Sequence, residues 1–191
     1  MITKTDAAER QLNTAIRLFF ENRDHLSSYT LAAASCEVTD DVTHNQRSKI
    51  YQRELARVGD PLKVTLSHRE EIKLRVKPEF HKDFFKLVHK WRNFLKHADT
   101  DPNEEIEPLK TRHLAVVIIF AIKNYVLLTQ HWTTEMRTFF AWLAVAEPQL
   151  VNSESEDEMN NKVIAELRSS ISVDPYDRNT LEAIYIYMTE V

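Results

Sequence analysis

The chain has 191 residues, a formal net charge of −4 and a hydrophobic fraction of 43%, which suit one soluble globular domain with a sizeable core. It contains a single glycine, Gly59, and a single cysteine, Cys36. Hairpins, phosphate-wrapping loops and dinucleotide fingerprints depend on glycine, so the composition argues against β architectures, a Walker loop and a Rossmann fingerprint. One cysteine also excludes an internal disulfide and a thiolate zinc cluster.

Two segments bear on location. The N-terminal stretch MITKTDAAERQLN is too polar for a secretory signal peptide, and the cysteine content favours a reducing compartment. We therefore predict a cytoplasmic protein. The longest apolar run, residues 114–122, is less than half of a membrane span, which predicts a buried helix and no membrane association.

Apolar residues recur with the 3.6-residue period of an α-helix along most of the chain. A capping pattern at Asp6 and Glu9 predicts the start of the first helix. Asp24 is predicted to cap a second helix, in which the small side chains of residues 32–36 would let a neighbouring helix approach closely. The apolar stripe of the first helix consists of Leu12, Ala15, Ile16, Phe19 and Phe20.

Later elements follow the same pattern. A third helix is predicted to end at the Gly59 turn, and another to begin at Pro78. Further helices are predicted over about residues 104–130 and 133–148, and a last one from Asp174. The stripe that follows Pro78 consists of Phe80, Phe84, Leu87, Val88, Trp91, Phe94 and Leu95.

These elements predict an all-α protein, an antiparallel helical bundle over residues 1–150 with an acidic helical extension, residues 151–191, packed on the same domain. Charge is uneven along the chain. Residues 44–98 contain 14 Lys or Arg and 6 Asp or Glu, whereas residues 147–191 contain 3 and 10. A basic middle within an acidic protein favours a local anion site, although solvation of helix faces explains such charges equally well.

The stretch KWRNFLKHADTDP, residues 90–102, combines cations, an amide and an imidazole near the end of a predicted helix. Successive helical residues turn by about 100°, so Arg92, Asn93, Lys96 and His97 fall off the apolar stripe. A guanidinium binds phosphate bidentately, and an imidazole exchanges a proton near neutral pH. These groups are suited to metal-free cleavage of RNA, and stabilisation of the helix C-terminus by cations is the alternative explanation of the same pattern.

The arrangement Arg92-Asn93-x-x-x-His97, late in an amphipathic helix, resembles the HEPN superfamily motif, in which His follows Arg after four to six residues and Asn often follows the Arg. The resemblance implies a dimeric bundle of four or five helices. In many members it implies a metal-independent endoribonuclease, used as a toxin or in RNA processing, while other members are non-catalytic. It assigns catalysis to Arg92, Asn93 and His97. The neighbouring candidates for RNA binding are Lys96, His89 and Lys90.

The predicted partners are RNA, a second copy of the chain in a homodimer, which would supply a second imidazole, and an antitoxin or other partner protein. No cofactor is predicted, and the sequence has no HExxH or cysteine cluster that would indicate a metal site. The alternative function is a non-catalytic helical module that binds a nucleotide or another protein. Cys36, among small apolar residues, is predicted to be packed instead of reactive.

Overall fold

The computed structural model describes residues 1–21, 24–67, 70, 78, 81–96, 103, 105–148, 164–165, 168–169 and 174–189. These residues form helices and connecting segments and contain no strand, which confirms the predicted all-α class. A 3-10 turn spans Pro61–Lys63. The α-helices of the described residues are α1 (Lys4–Phe20), α2 (His25–Asn45), α3 (Arg47–Val58), α4 (His81–Lys96), α5 (Thr111–Thr129), α6 (Thr134–Ala146) and α7 (Arg178–Thr189).

Short polar side chains cap the starts of α1, α2 and α6. Thr3 caps α1: its hydroxyl accepts the Asp6 N–H at 3.1 Å, and the Asp6 carboxylate accepts the Thr3 N–H at 2.9 Å. Asp6 is therefore the third residue of a capping box, and the predicted start at Asp6 and Glu9 was wrong by one turn. Asp24 caps α2 as predicted, and Thr133, at the start of the helix predicted over residues 133–148, caps α6.

Small side chains bring α1 and α2 together in antiparallel orientation. The Ser28 hydroxyl donates to the Ala15 carbonyl at 2.7 Å, and the Ser35 hydroxyl donates to the Ala8 carbonyl at 2.9 Å. A serine side chain is short, so both bonds require closely spaced backbones. Ala32 lies between the two serines and is fully buried. The close approach predicted from the small residues of α2 is confirmed.

Helix α5 lies at the centre of the bundle and contacts α1, α2 and α6. It begins at Thr111, later than the predicted start near residue 104, and residues 105–110 before it are not helical. Pro108 disfavours a helical conformation at the residue before it. The helix ends where Gln130 adopts a left-handed φ of 58°. Its buried residues are Leu114, Ala115, Val117, Ile118, Ile119, Ala121, Ile122, Asn124 and Tyr125.

Within the described ranges, α5 is the one helix long and apolar enough to cross a membrane by length and composition. Half of the residues in its most apolar window are buried inside the protein. Core helices of soluble proteins meet the same criteria, and the predicted buried helix over residues 114–122 agrees with this position in the bundle.

Aromatic side chains of α1 and α6 form the second part of the core. The Phe19 ring meets Phe139 and Trp142 edge-on, with centroids 5.2 and 4.9 Å apart. Phe20 contacts the same pair and stacks on Tyr185 of α7 at 5.7 Å. These side chains fill the core between α1, α6 and α7.

The turn before α7 is tied to α5 and α6. The Trp142 indole N–H donates to the Pro175 carbonyl at 2.9 Å. The Tyr176 hydroxyl donates to one oxygen of the buried Glu147 carboxylate, and Arg112 donates to the other, both at 2.6 Å. Glu147 thereby joins three elements, and burial and the hydrogen bond to this carboxylate raise the pKa of Tyr176.

The last helix begins at Arg178 and not at the predicted Asp174. The carboxylate of Asp177 accepts two backbone N–H groups of its first turn, at 3.1 and 3.2 Å, so Asp177 provides the cap. The predicted boundary at residue 150 and residues 151–163 of the predicted acidic extension lie outside the described residues.

We expect Ala32→Leu to lower the free energy of unfolding by about 1–3 kcal/mol, because the larger side chain would force α1 and α2 apart. Chemical denaturation measures this change. Ala56→Leu, the same substitution at an exposed position of α3, is the control and should change stability by less than about 0.5 kcal/mol. Equal effects of the two substitutions would contradict close packing at Ala32.

Candidate functional site

Trp91 attaches α4, the helix of the predicted motif, to the bundle. Its indole is buried, and the indole N–H donates to the Glu107 carbonyl at 3.3 Å. The ring centroid lies 6.2 Å from that of Tyr29 on α2 and 5.6 Å from that of His113 on α5. The predicted burial of Trp91 is confirmed, but Leu95, predicted in the same stripe, is 40% exposed.

Arg92 is held by α2 at two points. Its guanidinium forms an ion pair with the Glu37 carboxylate, and its backbone N–H donates to the Tyr29 hydroxyl at 3.2 Å. The side chains of Arg92 and Glu37 are 34% and 43% exposed. The arginine is therefore fixed in orientation while about a third of its side chain remains open to solvent.

Of the other two residues of the predicted motif, Asn93 is described by the structure and His97 is not. Asn93 is exposed on the turn that carries Arg92. His97 lies outside the described residues, and so does the side chain of Lys96. The described part of the motif thus brings Arg92 and Asn93 to one end of α4.

The remaining predicted RNA-binding residues lie earlier on α4. His89 is half-buried, and its ring stacks on Phe85 at 6.3 Å with an interplanar angle of 10°. Lys90 is exposed, with its ammonium 5.5 Å from the Trp91 ring centroid. Two helical steps separate Lys90 from Arg92, a rotation of about 200°, so these two cations leave different sides of α4.

Buried groups beside Arg92 stay protonated at neutral pH. Burial raises the pKa of Tyr29, while the Arg92 backbone N–H and charge act in the opposite direction. Burial, and secondly the charge of Asp40, raise the pKa of Cys36 far above its ordinary range. The Asn124 amide donates to both Cys36 and Asp40, at 3.1 and 2.8 Å. Cys36 is therefore a packed thiol, as predicted, and not a nucleophile.

His113, in the first turn of α5, is a neutral imidazole beside Trp91. Burial lowers its pKa, and the charges of Lys110, Arg112 and Lys90 lower it further. The Nδ1 atom is buried and has no hydrogen-bond partner in the described part of the chain. The neutral form of His113 is thus favoured by folding.

Sequence reasoning did not identify Glu37 or Tyr29. They are eight positions apart on α2, about 80° around the helix, so both can face α4. The helical period of 3.6 residues is enough to place Tyr29 and Glu37 on one side of α2. It does not reveal that α4 packs there, because a pairing between distant helices leaves no local pattern.

In the part of the chain that the structure describes, no group of three His, Cys, Asp or Glu residues is placed to hold a metal ion. Comparisons with protein-family models, curated proteins and solved structures found no match to this chain. The function of the site is therefore inferred from its own residues.

We expect Glu37→Gln to lower the free energy of unfolding by less than about 1 kcal/mol, because solvent screens a partly exposed ion pair. Chemical denaturation at moderate salt measures this. Glu182→Gln, which breaks the exposed pair with Arg178 on α7, is the matched control and should behave alike. A decrease in the free energy of unfolding above about 2 kcal/mol for Glu37→Gln, but not for Glu182→Gln, would contradict this expectation and show that the ion pair is a major source of stability.

We expect His113 to make stability depend on pH. Its pKa is below 6.5 in the folded protein, so the unfolded chain binds the proton more readily. The stabilisation is complete above about pH 6.5 and is lost as the pH falls through the lower, folded-state pKa. Denaturation from pH 7.5 to 5 should give a steeper loss of stability for the wild type than for His113→Gln, and equal slopes would contradict the pKa shift.

Proposed function

We propose that this protein is a HEPN-like, metal-independent endoribonuclease whose site is built around Arg92 on α4. The observation that supports this function is the two-point attachment of Arg92 to α2, which leaves a third of the side chain exposed. A guanidinium fixed before substrate arrives presents planar donors to a phosphate with little loss of conformational freedom on binding. Arg92 would therefore bind and stabilise the scissile phosphate.

In the proposed reaction, the 2′-oxygen of RNA attacks the neighbouring phosphorus while the bond from phosphorus to the 5′-oxygen breaks. One base takes the proton of the 2′-hydroxyl, and one acid protonates the leaving 5′-oxygen, so the products are a 2′,3′-cyclic phosphate and a 5′-hydroxyl. His97 supplies one of these groups. A symmetry-related His97 in a homodimer supplies the other.

The remaining groups have supporting roles in the proposal. Glu37 holds the guanidinium of Arg92 beside α2, and Asn93 orients phosphate or imidazole through its exposed amide. Arg92 stabilises the charge that develops on the phosphate oxygens. The flanking residues Lys96, His89 and Lys90 contribute RNA contacts. The proposed setting is cytoplasmic, with an antitoxin or other protein as the regulatory partner.

A second candidate function is a non-catalytic module that binds a nucleotide or another protein. It is favoured by the Glu37–Arg92 ion pair itself, which satisfies the arginine without any substrate. Under this alternative the purified protein would leave RNA intact. The two functions are therefore separated by a cleavage assay.

We expect the purified protein to cut single-stranded RNA in the presence of EDTA and to leave 2′,3′-cyclic phosphate ends. Arg92→Ala and His97→Ala should each slow the cleavage by about a hundredfold or more, because each removes a group that acts in the transition state. Gel analysis of labelled RNA measures the rate.

Arg10→Ala removes an exposed arginine of α1 and is the control, with cleavage expected at the wild-type rate. Circular dichroism of each variant tests that the fold is kept. Cleavage that persists unchanged in both Arg92→Ala and His97→Ala would refute the proposed site and indicate a contaminating nuclease.

A further inference from the structure

Helix α3 carries a stripe of cations that the proposed reaction does not use. Lys49, Arg53 and Arg57 are spaced four residues apart, so they share one flank of the helix at intervals of roughly 6 Å along its axis. Lys49 is exposed, and the side chains of Arg53 and Arg57 are 36% and 57% exposed. The stripe therefore borders solvent along its length.

One buried carboxylate orients both arginines of the stripe. Glu54 accepts from the Arg53 Nε at 3.0 Å through one oxygen and from the Arg57 Nε at 2.9 Å through the other. Arg53 also donates to the Leu127 carbonyl near the end of α5. The two guanidinium groups are thus held beside the same carboxylate, and α3 is joined to the central helix at this point.

The charge of this stripe is not balanced within α3. Lys49 adds a third positive charge to those of Arg53 and Arg57. Residues 47–58 contain four Lys or Arg and one acidic residue, the buried Glu54. Like charges four residues apart on a helix repel each other. A polyanion that lies along the stripe would offset this repulsion.

We propose that the stripe of Lys49, Arg53 and Arg57 on α3 binds the phosphate backbone of RNA. This inference rests on the proposed function, which makes RNA the polyanion that the protein encounters. Regularly spaced cations complement the regularly spaced charges of a nucleic-acid strand. Contacts of this kind raise affinity and fix the strand's position without selecting its sequence. The stripe therefore serves as a substrate-binding surface additional to the α4 site.

The test measures binding of a short, fluorescent 2′-O-methyl RNA by the full-length protein. This RNA lacks the attacking hydroxyl and cannot be cleaved, so binding is separated from catalysis. The double variant Lys49→Gln/Arg57→Gln should weaken binding roughly fivefold to twentyfold at about 0.1 M salt. It should also reduce the slope of log affinity against log salt by about 1.4, or about 0.7 for each lost phosphate contact.

Three further variants make the result specific. Lys4→Gln/Arg10→Gln removes the same charge from exposed positions of α1 and should leave affinity and slope near the wild-type values. Arg57→Lys keeps the charge and should keep most of the affinity. Lys49→Gln alone leaves the Glu54 contacts intact and should lower the slope by about 0.7, even where the double variant folds poorly.

Unchanged affinity and slope in Lys49→Gln and in the double variant would overturn the proposal, and so would an equal loss in the α1 control. Polyglutamate serves as a second, acidic polypeptide probe. If the double variant loses binding to polyglutamate but binds RNA as the wild type does, the stripe is a site for an acidic polypeptide, and the proposal of RNA binding is overturned. RNA binding that depends on the stripe, in a protein that never cuts natural RNA, would refute the nuclease and leave this surface in place. Cleavage of natural RNA by a protein whose RNA binding does not depend on the stripe would support the nuclease and refute the RNA-binding role of the stripe.

Discussion

Two hydrogen bonds from serine side chains to a helix backbone fix how α2 is rotated in the bundle. With Ser28 and Ser35 directed at α1, a step of about 100° per residue places Tyr29 and Cys36 a quarter of a turn away. Tyr29 meets the indole of α4, and Cys36 meets the amide of α5. Glu37 lies another quarter of a turn on, where it reaches the motif arginine. The serine strip of α2 therefore faces α1, whereas the strip of Tyr29 and Cys36 meets both α4 and α5.

The forces that position α4 and those that orient its arginine differ in size. Burial of an aromatic side chain such as Trp91 contributes about 1.5–3 kcal/mol, whereas a partly exposed ion pair contributes up to about 1 kcal/mol. The tryptophan therefore determines where α4 lies. Glu37 determines only where the guanidinium of Arg92 points. A carboxylate of this kind can yield to a phosphate without loosening the helix that carries the arginine.

Local rules predicted most of the helices, because caps and apolar periods act within a few residues. The second helix begins after Asp24, as the sequence predicts. The third helix ends at Gly59, also as predicted, and Gly59 adopts a left-handed φ of 72°. The error at α5 came from acidic residues before Pro108, which look like a first turn but precede a helix that starts three residues after the proline. The ion pair of Glu37 with Arg92 could not be predicted, since two charges 55 residues apart meet only through the packing of their helices.

The buried thiol between α2 and α5 has a practical consequence. Cys36 is the chain's sole cysteine, and it is both enclosed and held in its unreactive, protonated form. Alkylating dyes react with the thiolate and need access to the sulfur. A cysteine introduced on the surface can therefore be labelled selectively in the native protein without replacing the natural one. The slow modification of Cys36 itself would then report how often the bundle opens.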